Sequence, residues 1–66
     1  MRLEAATSSG TRRFVIERDE RMGWYLYILE SDRCVMDYLQ DTLEHAKEQA
    51  NDEFGVAPDS WRECKG

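Results

Sequence analysis

The sequence predicts an α+β domain, a three-stranded antiparallel meander packed against one C-terminal helix (βββα), and three observations carry that prediction. Between residues 12 and 40 lie three stretches rich in β-branched and aromatic side chains, separated by charged or turn-forming residues. After them the apolar period lengthens, because Leu43, Ala46, Ala50 and Phe54 recur at the spacing of one helix face. A chain of 66 residues also has room for a single core layer, since small domains bury a smaller share of their surface.

Residues 1–11 mix Ala, Thr, Ser and Gly without a hydrophobic period, so they read as a flexible N-terminal arm, leaving 12–66 as a single α+β domain. The first strand is "RRFVIERD", with Phe14 and Ile16 on one face and Val15 on the other. "DERMG" follows as a hairpin connection ending in Gly23, a residue that tolerates positive φ. The second strand, "GWYLYILE", turns Trp24, Leu26 and Ile28 one way and Tyr25, Tyr27 and Leu29 the other, and both sets are apolar or aromatic. A one-residue slip in either turn changes which cross-strand residues share a face, so the face that meets the helix stays open. An odd-length first connection would set Phe14 and Ile16 beside Trp24, Leu26 and Ile28 as an apolar core face and leave the tyrosines, with Val15 and Glu17, on a half-wet outer face. Ser31 and Asp32 are turn formers, and "CVMDYLQ" is the third strand; Asp37 avoids the core, so Met36 with Tyr38 or Cys34 point inward, in competition with Val35 and Leu39.

The helix start reads as Asp41 capping the first turn while Glu44, three positions on, reaches back in a capping box. Its end is marked by Gly55, with Val56 folding back and Pro58 preventing continuation. Small Ala46 and Ala50 let the helix lie close to the larger residues of the sheet. Trp61, the one large apolar group after Pro58, reads as packing on an edge of the core, with a partner anchor as its alternative role.

Charge narrows the functions open to such a domain. Fourteen acidic against nine basic residues give a net charge of -5, all of it in residues 34–66, because 1–33 hold six of each sign. A deficit of cations opposes phosphate binding and suits a basic protein partner. The alternative, a nucleic-acid-binding domain, would use Arg12, Arg13, Arg18, Arg21 and Arg33; three strands backed by one helix is also the build of plant AP2-type DNA-binding domains, but Glu17, Asp19, Glu20, Glu30 and Asp32 cancel the local field.

Catalytic and metal sites find little to build on. His45 lies one helical turn after Asp41 with no nucleophile to join them, so no enzyme activity is expected. Cys34, Cys64 and His45 lack short ligand spacing, and the glycines are isolated rather than gathered in a phosphate loop, so neither metal nor cofactor is expected. Two free thiols favour a reducing compartment, and neither a signal peptide nor an apolar run long enough for a membrane span is apparent, so a cytoplasmic protein is expected. What remains is contact with protein. Tyr25, Tyr27 and Leu29 form an outer face suited to a homodimer, while Glu44, Glu48 and Asp52, four residues apart, form an acidic stripe of the kind an inhibitor or immunity protein turns toward a basic partner.

The stretch from "GWYLYILE" through "DYLQDTLEHAKEQANDEFGV" to "DSW" resembles a group of short, uncharacterised bacterial proteins that end in a helix followed by FGV and a Trp. The resemblance covers about two thirds of the chain. It implies a bacterial, soluble, single-domain protein and carries no catalytic residue or ligand with it.

Overall fold

The computed structural model describes residues 2–6 and 11–64. Its five strands, β1 (Arg2–Ala6), β2 (Arg12–Asp19), β3 (Gly23–Glu30), β4 (Arg33–Gln40) and β5 (Arg62–Cys64), form one antiparallel sheet in the order β4-β3-β2-β1-β5. Helix α1 (Leu43–Phe54) and a single 3-10 turn (Pro58–Ser60) lie between β4 and β5 in the chain.

The α+β class holds, but the three-stranded meander does not: it is the β2-β3-β4 part of a larger sheet. Arg2–Ala6, expected within the flexible arm, is a strand because Leu3 and Ala5 alternate with Arg2 and Glu4 and bury themselves against Ile16 and Phe14 of β2. Its other edge takes β5, in the register Arg2↔Cys64 and Glu4↔Arg62. Neither strand announces itself locally, since one is small-residue-rich and the other only three residues long; each is defined by a neighbour distant in sequence. Residues 7–10 of the expected arm lie outside the described residues.

Register decides which side chains share a face. Phe14↔Ile28 and Ile16↔Leu26 join β2 to β3, and Ile28↔Met36 and Leu26↔Tyr38 join β3 to β4. Phe14, Ile16, Leu26 and Ile28 are fully buried on this inner face, together with Leu3 and Ala5, beneath Ala46, Ala50 and Val56. The alanines let α1 approach closely, and Phe54 closes the space beside them, its ring 5.5 Å from Phe14 and 6.5 Å from Tyr38. Burying a Leu, Ile or Phe side chain stabilises by about 1.5–3 kcal/mol, so these few residues carry most of the driving force. Trp61 packs against the same core.

The connections are specified by backbone geometry. Asp19 accepts from the Arg21 and Met22 N–H groups at 2.8 and 3.0 Å, shaping the turn that ends at Gly23, where φ is 120°. Ser31 and Asp32 both adopt left-handed φ, 49° and 66°, the primed hairpin geometry whose twist matches the flanking strands. A register shift follows: Leu29 pairs with Cys34 but Ile28 with Met36, so Val35 is an extra, exposed residue in β4. Beyond it Met36 and Tyr38 face inward while Cys34 and Leu39 face outward.

The helix cap differs from the expected one. Thr42, with extended φ and ψ of -133° and 159°, is the N-cap, and its hydroxyl accepts from the His45 N–H at 3.1 Å. Asp41 therefore stands one residue too early, and the third helical position holds His45 instead of a Glu, so no capping box forms. At the other end Gly55 takes the left-handed conformation (φ 72°), and the Val56 N–H donates to the Ala50 carbonyl at 3.2 Å, folding Val56 back onto the core. Among the described residues no helix is long and apolar enough to cross a membrane.

Candidate functional site

Alternation along the strands builds an outer face opposite α1, in rows that cross the sheet. One row runs Asp37, Tyr27, Val15, Glu4, Arg62, and the next runs Leu39, Tyr25, Glu17, Arg2, Cys64. A third carries Cys34, Leu29, Arg13 and Ala6. Tyr25, Tyr27 and Leu29 thus share one face, as the alternation predicts. The tyrosine rings lie 5.7 Å apart and 16° from parallel. They are half-buried, but Leu39, which pairs with Tyr25 on β4, is 42% exposed.

Val15, by contrast, is only 2% exposed although it points away from the helix. It sits between Tyr27 and Glu4, whose longer side chains flank it on the neighbouring strands. The outer face therefore has a thin apolar layer of its own. Burial holds the Tyr27 hydroxyl above the usual tyrosine range, with Glu17, Tyr25, Asp37 and Cys34 adding to the effect because each opposes a phenolate. A neutral hydroxyl beside apolar groups is suited to hydrogen bonding across an interface.

Charged side chains surround this layer in pairs. Arg2 reaches Glu4 at 3.3 Å and Glu17 at 3.6 Å, and Arg13 reaches Asp32 at 3.3 Å. At the β1–β5 edge the Cys64 thiol donates to Glu4 at 3.1 Å. That bond holds the Glu4 carboxyl below its usual range, with Arg2 and Arg13 assisting against partial burial, and pushes the Cys64 thiol up. Asp37 and Arg62, at opposite ends of one row, enter no ion pair among the described residues.

Glu44, Glu48 and Asp52 are exposed along α1, as the spacing predicts, but the sheet separates them from the tyrosines. The two predicted surfaces are therefore independent. His45 borders a shallow, open hollow of about 360 Å³ with Glu48, Gln49 and Asp52, and forms no ion pair with Asp41 among the described residues. Cys34 on β4 and Cys64 on β5 occupy opposite edges of the sheet, both as free thiols. Among the described residues no three His, Cys, Asp or Glu side chains gather as a metal site would require.

The arginines of the nucleic-acid reading are largely engaged. Arg12 is held by Glu30 at 2.6 Å, Arg13 by Asp32, and Arg18 lies over the Trp24 ring, 5.9 Å from its centroid. The sequence alternation places Val15 on the outer face, as found, but misses Glu4, Arg2, Arg62 and Cys64 there. The polar–apolar alternation of "RLEAA" was the available signal for Arg2 and Glu4. No protein-family model, curated protein or solved structure matches the chain.

Proposed function

We propose that this protein is a small protein-interaction module without catalytic activity, and that the outer sheet face centred on Tyr25, Tyr27 and Leu29 is its contact surface. The supporting observation is the distribution of apolar groups. With the core satisfied on the helix side, the opposite side still presents two stacked tyrosines and, paired with Tyr25, exposed Leu39. A continuous apolar patch rimmed by charges is the anatomy of a contact surface, with aromatic groups at its centre. The acidic stripe of Glu44, Glu48 and Asp52 is a second, electrostatic surface that would steer a basic partner.

Two variants separate the surfaces. Tyr25→Arg with Tyr27→Arg should weaken association, with another protein or with itself, at least about tenfold, because central aromatic groups dominate interface energies. Glu44→Lys with Glu48→Lys should mainly slow association with a basic partner. Retained binding in the tyrosine variant, with its circular dichroism spectrum unchanged, would refute the assignment of the contact surface.

A further inference from the structure

Resting on the reading of the outer face as a contact surface, we propose that its occupant is a second copy of this chain, docked face to face about a two-fold axis running along β2. The register supplies the reason. In the row Asp37, Tyr27, Val15, Glu4, Arg62, one end is acidic, the other basic, and Val15 on β2 is the midpoint. A two-fold parallel to the strands exchanges left and right while keeping each row over itself. Asp37 then meets Arg62 of the second copy, the Tyr27 hydroxyl meets Glu4, and Val15 packs on Val15. In the next row Leu39 covers Cys64, and the Tyr25 ring covers the Arg2 guanidinium.

A competing operator, with its axis perpendicular to the strands and lying along this row, sets Asp37 on Asp37, Glu4 on Glu4 and Arg62 on Arg62. Like charges directly opposed disfavour it. Under the favoured operator the outward β2 residues Arg13, Val15, Glu17 and Asp19 meet their own copies; Glu17 is paired within its chain by Arg2 at 3.6 Å and Arg13 by Asp32 at 3.3 Å, and Asp19 accepts from the Arg21 and Met22 N–H groups. Asp37 and Arg62, the pair the docking would join, have no ionic partner among the described residues.

Size is consistent with this partner. Strands of three to eight residues, spaced ~4.8 Å apart and rising ~3.3 Å per residue, give an outer face of about 500 Å². With the two-fold along β2 the shorter strand of each opposed pair, β1 over β3 and β5 over β4, sets the overlap at about 400 Å² per face, so docking removes about 750 Å² from water, the size of a weak, transient interface. Aligned packing at about -30° is the arrangement such twisted sheets adopt.

Sedimentation equilibrium of the full chain tests the pairing by charge exchange. Asp37→Arg alone sets cation against cation and Arg62→Asp alone sets acid against acid, and each should raise the dimer dissociation constant at least about tenfold. The double variant restores opposite charges and should return within about threefold of wild type; since it carries both changes, its recovery also excludes misfolding as the cause of the losses. Single variants without effect, or a double variant as weak as the singles, would overturn the two-fold along β2. A wild-type chain that stays monomeric at several hundred micromolar while Tyr25 and Tyr27 still govern capture of another protein would overturn the second copy and leave the contact surface standing. A dimer indifferent to Tyr27→Arg would overturn both.

Discussion

Replacing Gly23 by Ala should remove a large share of this protein's stability. At Gly23 φ is 120°, a conformation that L side chains rarely adopt, and a Cβ built there falls 2.5 Å from the Gln40 carbonyl oxygen. That oxygen belongs to backbone held by the pairing of Gln40 with Trp24, so it cannot turn aside as a flexible side chain would. The backbone strain is worth about 1–3 kcal/mol, and relief of the overlap by shifting the end of β4 about 1–3 kcal/mol more. Reduced freedom of the unfolded chain offsets only about 0.4–1 kcal/mol. A net loss of about 3 kcal/mol stands against a total of about 3–10 kcal/mol for a domain of this length. Gly55 is the internal comparison, because its φ of 72° imposes strain but nothing lies within 4 Å of an added Cβ. Gly55→Ala should therefore cost only about 1–2 kcal/mol. Urea unfolding followed by tryptophan fluorescence measures both. A Gly23→Ala loss equal to or smaller than that of Gly55→Ala would refute the reasoning, since the carbonyl contact would then contribute nothing.

Two further expectations concern the cap and the thiols. Thr42→Ala should lower stability by about 1 kcal/mol in the same unfolding assay, while Asp41→Ala changes it by less than half as much, because only Thr42 accepts from the first helical turn. Alkylation at mildly alkaline pH, read by peptide mass spectrometry, should label exposed Cys34 well before Cys64, whose proton is retained by the bond to Glu4. The folded value of Cys64 lies above its unfolded one, so the stability it contributes is complete below the unfolded thiol value and is lost as pH rises through the folded one.

The elements legible in the sequence are those whose partners are close along the chain. β2, β3 and β4 are joined by short hairpins, and their alternation separates Leu26 and Ile28 from Tyr25 and Tyr27, while the hairpin register of the folded chain adds Phe14 and Ile16 to the former set and makes it the core. α1 is equally visible in the spacing of Ala46 and Ala50. β1 and β5 escape because five residues of mixed small and charged type, and three residues after a turn, carry no period strong enough to stand alone. Half of the outer face escapes with them, including the Arg62 end of the row that gives the face its polarity. The Thr42 cap escapes for another reason: Asp41 and Thr42 are adjacent and both able to cap, and only the path of the chain leaving β4 chooses between them.

The pairing of Arg2 with Cys64 sets an order of events as well as a shape. Hairpins β2-β3 and β3-β4 need close only short loops, on a timescale of microseconds, whereas the β1-β5 ladder must bring together residues separated by nearly the whole chain. Loop closure therefore favours its completion after the hairpins, and on that expectation the outer face acquires its basic end late. A chain still being synthesised carries the tyrosines and Asp37 but not yet Arg62, and self-recognition through that row waits for the finished fold.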